Sequence, residues 1–171
     1  ADLTQANTEL LNLATHDALT GVYNRRRFDE KLAENSLLFQ RTGRTFALLL
    51  IDADYFKRIN DTHGHAVGDD VLRQIAQLIQ STTRVTDFVA RYGGEEFAVL
   101  LPEVEAPDSP DVVAEKIRAA IAGARFEQVG PVTVSIGVGI AAPSDRDTRA
   151  LLNRADQQLY EAKAGGRNRV A

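Results

Sequence analysis

The stretch RYGGEEFAVLL, Arg91 to Leu101, reads as a hairpin. TDFVARY (Thr86 to Tyr92) forms the ascending strand, Gly93-Gly94 the turn, and EFAVLLP (Glu96 to Pro102) the descending strand. A turn explains the glycines. It does not explain Glu95-Glu96, a pair of carboxylates held at the tip of an apolar hairpin.

Outward from the hairpin, two more strands stand out. TFALLLID, Thr45 to Asp52, is a continuous apolar run of strand length, expected as a central strand buried on both faces. It ends abruptly in acid, at Asp52 and Asp54. PVTVSIGVGIA alternates, with Val132, Val134, Ile136, Val138 and Ile140 on one side. Thr133, Ser135, Gly137 and Gly139 make the other side bare enough for a close neighbour.

Helical periods fill the gaps. A turn at Leu19-Thr20-Gly21 leads to a helix from about Asn24 to Gln40, with Asn24 as N-cap, Gly43 as stop, and Phe28, Leu32 and Phe39 on one face. A short helical turn is predicted around Phe56 to Asn60, followed by a loop, DTHGHAVGDD, and a helix from near Asp70 carrying Val71, Leu72, Ile75, Leu78 and Ile79. Pro107 to Gly123 and Thr148 to Ala164 complete the set. A hairpin between two crossover units predicts an α/β (α+β) fold: a ferredoxin-like mixed central sheet of about five strands, flanked by helices.

Composition sets the limits. The 171 residues suit one domain with a sizeable core, and 44% hydrophobic with 26% charged residues is ordinary for a globular chain. A net charge of −4 predicts no nucleic-acid partner, while leaving room for a local basic pocket. Without cysteine, disulfides and thiolate metal sites are impossible, and a reducing, cytoplasmic setting is expected. The longest apolar run, Phe46 to Ile51, falls far short of the roughly 20 residues of a spanning helix, so no membrane contact is expected of this stretch. A chain that starts at Ala1 and has no methionine reads as a piece of a longer protein, whose membrane attachment the sequence leaves open.

Residues 1–15 form a predicted helical linker, ahead of a domain spanning 16–171. Leu3, Ala6, Leu10 and Leu13 are spaced alternately by three and four, as in a coiled-coil seam. The same spacing suits a single amphipathic helix lying on its own domain. Fewer than two heptads cannot hold a dimer alone, so a genuine seam would continue upstream.

In this layout Asp52, at a strand end, and Glu95-Glu96, at the hairpin tip, meet over one edge of the sheet. Crowded carboxylates raise one another's pKa unless a cation neutralises them, and oxygen-only ligands suit Mg²⁺ or Mn²⁺. The glycines let a phosphate approach the backbone. Taken alone, the tip also reads as a solvated turn.

Its company decides. DADYFKRINDTHGHAVGDD (Asp52 to Asp70) with RYGGEEF resembles the GGDEF family of diguanylate cyclases, in the spelling GGEEF. The resemblance spans nearly the whole chain in ordered blocks. It begins with DALTGVYNRRRF (Asp17 to Phe28), passes LLLIDADYFKRIND and HGHAVGDDVL, and reaches the hairpin. It continues through VTVSIGV (Val132 to Val138) and ADQQLYEAKAGGRN (Ala155 to Asn168).

The resemblance implies a sheet of nucleotide-cyclase and polymerase-palm type and a reaction. Two GTP molecules, one per subunit of a homodimer, condense into cyclic di-GMP with release of two pyrophosphates, by a two-metal mechanism. It implies Asp52 and Glu95 as metal ligands, with the Ala53 carbonyl assisting and Glu96 as a further ligand or general base. Asn60 and Asp69 would read guanine, since a carboxylate accepts from N1–H and the 2-amino group and adenine offers neither donor. Residue by residue, helix-ending and N-capping roles remain alternatives for these two. Phe56, Lys57, Lys163 and Arg167 would bind substrate, the cations on the triphosphate. Lys163 and Arg167 also suit a helix C-terminus. His63 and His65 form H-x-H without a third partner, a weak zinc case, and His65 matches a nucleotide-lining loop.

Arg84-Val85-Thr86-Asp87 matches RxxD, the family's product-binding inhibitory site, though the tetrapeptide is also a common surface ion pair. The resemblance thus implies a diguanylate cyclase domain with product feedback. The alternatives are a catalytically inactive GTP- or cyclic di-GMP-binding regulatory domain and a different palm-type nucleotide enzyme.

Overall fold

The computed structural model describes residues 2–171, so Ala1 of the linker lies outside it. The described residues form six helices and one five-stranded sheet of order β2-β3-β1-β4-β5. Central strand β1 (Ala47–Ala53) is buried at every position. It pairs antiparallel with β3 (Glu96–Leu101) on one side and β4 (Val134–Ile140) on the other. Strand β2 (Phe88–Arg91) completes the hairpin with β3. The first four strands therefore follow the ferredoxin-like order expected.

Side chains of β1 alternate between two cores. Leu49 and Ile51 join α3 (Phe56–His63), α4 (His65–Thr82) and α5 (Ser109–Ala122) on one face of the sheet. Leu48 and Leu50 join α2 (Arg25–Thr42) and α6 (Thr148–Ala164) on the other. The apolar run is continuous because neither face meets water.

Local signals set most boundaries. The Asn24 side chain accepts from the Arg27 N–H at 2.9 Å to open α2, and Gly43, at φ 72°, closes it with a bond to the Phe39 carbonyl. Helix α6 presses onto β4 at Gly137, where a Cβ would stand 2.2 Å from the Ala155 carbonyl oxygen. The bare face of β4 is therefore the seat of α6.

Three elements differ from expectation. Helix α3 runs on to His63 and α4 begins at His65, five residues before Asp70; only Gly64, at φ 90°, separates them. The first turn of α4 carries no apolar period, so the pattern could not register it. Asp69 thus lies inside α4 and is not its N-cap. The short β5 (Arg169–Val170) runs parallel beside β4 and was not placed from the sequence.

Linker helix α1 (Asp2–Thr15) buries none of its residues, and Leu3, Leu10 and Leu13 are 75%, 63% and 70% exposed. A helix lying on its own domain is therefore not what forms. No helix among the described residues is long and apolar enough to cross a membrane.

Candidate active site

The β1–β3 register places Asp52 directly opposite Glu96. Paired residues share a face, so both stand on the α6 side of the sheet. There the Lys163 ammonium donates to Asp52 Oδ2. Burial raises the Asp52 pKa above the ordinary carboxylate value; Lys163 opposes this, while Glu95 and Asp54 add repulsion. Glu96 is likewise raised, first by burial and then by Asp52. One ammonium thus serves a crowd of carboxylates.

Glu95, the neighbouring residue, lies in the bend of the hairpin tip. With Phe56, Lys57, Asn60, His65 and Asp69 it borders an open cleft of ≈ 380 Å³ between the hairpin tip and helices α3 and α4. Glu95 lies in the bend just before β3 and Glu96 is the first residue of that strand, so the two acids of GGEEF sit at the junction of turn and sheet. Asp52, Glu95 and Glu96 lie within electrostatic reach, yet among the described residues no three acidic or imidazole side chains converge as a metal-ligand group. H-x-H forms no such group either. The donors present, oxygen-only and with two raised carboxyls, fit a hard divalent cation.

Asn60 Oδ1 is buried without a hydrogen-bond partner. It packs on Gly68 of α4, where an added Cβ would stand 1.8 Å away. A glycine inside a helix is unfavourable unless packing requires it; here it makes room for the Asn60 amide. The sequence contained that signal, a glycine just before Asp69, but the residue was assigned to a loop.

The tip itself is fastened. Arg91 Nη2 donates to the Gly94 carbonyl at 2.8 Å, and its Nη1 lies 3.3 Å from Asp17 Oδ1. Asp17 also accepts from the Thr20 N–H and hydroxyl at 2.9 and 2.7 Å. Burial works to raise its pKa, but these hydrogen bonds and Arg91 together hold it below the ordinary value. Sequence reasoning missed this pair, because nothing in the spacing joins residues so far apart in the chain.

Asp54 is a second unforeseen anchor. It accepts from Thr133 Oγ1 and Ser135 Oγ of the β4 segment, both at 2.7 Å, and from the Asn168 N–H at 3.0 Å. The loop after α6 is thereby pinned to the end of β1. Arg167, in that loop, places its guanidinium carbon 4.7 Å from the Tyr55 ring centroid. Ala53 is buried and its N–H donates to the Glu95 carbonyl at 3.1 Å.

Arg84 and Asp87 form a tight turn at the far end of the hairpin: the Arg84 N–H donates to Asp87 Oδ2 at 2.8 Å. The Arg84 guanidinium reaches an exposed Glu105 at 2.8 Å. Burial raises the Asp87 pKa, outweighing Arg84.

Comparison with known proteins accords with this geometry. The family model described as "Diguanylate cyclase, GGDEF domain" matches residues 14–169. Response regulator PleD of Caulobacter vibrioides is 44% identical over 94% of this chain and 36% of its own length. Diguanylate cyclase A of Treponema denticola is 41% identical over 96% of this chain and 46% of its length. The chain thus spans less than half of these relatives. Among solved structures, the coiled coil and GGDEF domain of DgcB from Caulobacter crescentus, in complex with c-di-GMP, superposes with a TM-score of 0.91 at 34% identity, covering 99% of this chain and 91% of that one. The active GGEEF domain of a diguanylate cyclase from Vibrio cholerae gives 0.82 at 36% identity, covering 86% and 95%. This chain belongs to the GGDEF-domain diguanylate cyclase family.

Proposed function

We propose that the domain condenses two GTP molecules into cyclic di-GMP and two pyrophosphates. The carrying observation is the adjacency of the Asn60–Asp69 cleft, bordered by Glu95, to the Asp52–Glu96 pair across the strand ends. Asp69 accepts from the guanine N1–H and 2-amino group, and Asn60 supports the same base edge. Each ribose 3′-oxygen attacks the α-phosphate of the opposing nucleotide, pyrophosphate leaves, and the hydroxyl proton passes to a carboxylate, Glu96 in our assignment. Lys57, Lys163 and Arg167 balance the triphosphate.

Asp52, Glu95, Glu96 and the Ala53 carbonyl are the groups that would hold Mg²⁺ or Mn²⁺. The ion would supply charge neutralisation and acidify the attacking hydroxyl. Lys163 would then exchange Asp52 for phosphate. One chain offers one such cleft, so two chains must face each other as a homodimer. We place the domain in the cytoplasm.

The rival, a receptor that binds nucleotide without turnover, draws on the Lys163–Asp52 pair, which already satisfies the acid. Incubation with Mg²⁺ and GTP, with ATP as control, separates the two. The expected result is pyrophosphate and cyclic di-GMP from GTP only, with turnover per subunit rising with protein concentration. GTP binding without pyrophosphate release would establish the receptor instead. A rate strictly proportional to protein would remove the requirement for pairing.

Product feedback at Arg84 and Asp87 is part of this proposal. Loss of the forked guanidinium in Arg84→Ala is expected to raise the inhibition constant for cyclic di-GMP about tenfold or more. Glu105→Gln, which releases Arg84 from its exposed ion pair, is expected to lower it by about twofold to fivefold. Unchanged inhibition in Arg84→Ala would dismiss the assignment.

A further inference from the structure

Three non-glycine residues at the substrate end of the sheet adopt the left-handed conformation: Tyr55 (φ 55°), Arg167 (φ 64°) and Asn168 (φ 47°). Such backbone is unfavourable for ordinary side chains and persists where surrounding contacts enforce it, often at functional sites. The contacts are visible. Asp54 holds the Asn168 N–H at 3.0 Å, the Asn168 side chain accepts from Arg118 Nη1 at 2.8 Å, and the Arg167 N–H donates to the Ala162 carbonyl at 3.0 Å.

The two turns bring together an aromatic ring and two cations. The Arg167 and Arg58 guanidinium carbons lie 4.7 and 4.6 Å from the centroid of the Tyr55 ring, which is half exposed. Neither guanidinium forms an ion pair within 4.0 Å of a carboxylate among the described residues. An acidic partner would neutralise the cation and compete with an incoming phosphate. An aromatic face holds it by cation–π attraction and leaves its N–H edge able to fork onto oxygen. Two like charges gathered on one ring are also relieved when an anion arrives.

We propose that Tyr55 is a positioning residue that gathers Arg58 and Arg167 into a two-guanidinium site for the outer phosphates of the nucleotide. Arg58 thereby becomes a binding residue in its own right. The inference rests on the reading of this end of the sheet as a GTP site, and it adds Tyr55 and Arg58 to the triphosphate contact already given to Arg167.

Two substitutions separate the ring from the backbone. Tyr55→Phe keeps the aromatic face. Tyr55→Asn removes it while retaining a residue that tolerates the left-handed conformation. Steady-state pyrophosphate release with Mg²⁺ and GTP is expected to show a KM within about twofold of wild type for the Phe variant and raised about threefold to tenfold for the Asn variant, with kcat changed less. Guanosine, which has no phosphates, is expected to bind all three proteins equally by calorimetry. Arg58→Ala is expected to raise KM in the wild type and to add little in Tyr55→Asn. Equal KM for Phe and Asn variants, or weakened guanosine binding in the Asn variant, would overturn the role of Tyr55. Failure of the wild type to bind GTP would instead overturn the nucleotide reading beneath it.

Discussion

Asp52→Asn is expected to lower cyclic di-GMP formation by on the order of a thousandfold or more, while its melting temperature near neutral pH equals or exceeds that of the wild type. The two halves share one cause. Asp52 is 5% exposed, and burial with Glu95 and Asp54 nearby raises its pKa despite Lys163. The folded chain therefore holds the Asp52 proton to a higher pH than the unfolded chain does. The contribution of that carboxyl to stability is fully present below its unfolded pKa and is lost as pH rises through the folded value. Above that folded value the wild type carries a penalised charge that asparagine lacks, and Lys163, part-exposed, turns to water. In acid, where Asp52 is protonated, the advantage of the variant is expected to disappear.

Thermal melts across pH, with and without Mg²⁺, check this. Mg²⁺ is expected to raise the wild-type melting temperature and to leave Asp52→Asn unmoved. A variant that melts well below the wild type at neutral pH would mean that Asp52 is a structural ion-pair partner of Lys163. The site would then lose its central acid. Equal Mg²⁺ response in both proteins would point to cation binding elsewhere.

How far the sequence reached depends on whether a feature is periodic. Strand β1 was legible because residues facing both cores are apolar, and the end of α6 because Gly165-Gly166 follows it. Glycine and threonine opposite the valines of β4 announced a close neighbour, which proved to be α6. The first turn of α4, His65-Ala66-Val67-Gly68, offered no helical apolar period to read. Strand β5, two residues long, is defined by pairing with β4 and by nothing local. At the site, the residue types and their shared sheet edge were legible; that Glu96 stands opposite Asp52 while Glu95 stays in the bend beside the α3–α4 cleft follows only from the folded hairpin. Asp17–Arg91, Asp54–Asn168 and Tyr55–Arg167 are tertiary pairs, and composition or spacing cannot announce them.

Gly68→Ala carries the second large effect, and it separates fold from function within one helix. By propensity alone the change favours α4, since alanine stabilises a helix interior by about 1 kcal/mol over glycine. Its methyl, however, would stand 1.8 Å from Asn60 Oδ1 and 3.2 Å from Phe56 Cζ. The Asn60 amide is the mobile end of a side chain, so it moves and the backbone stays. Displacing a base-reading group by about 1 Å is enough to cost about a hundredfold, and that is the expected fall in kcat/KM for GTP. The discrimination between GTP and ATP is expected to fall with it, because the amide would no longer meet the guanine edge. A double-mutant cycle decides whether the path runs through Asn60: in an Asn60→Ala background, Gly68→Ala has nothing left to displace and is expected to change kcat/KM by less than about twofold. Additive losses would show that Gly68 acts on the cleft by another route, such as the placement of Asp69. Full activity in Gly68→Ala would mean that Asn60 does not read the base from the position it occupies against α4.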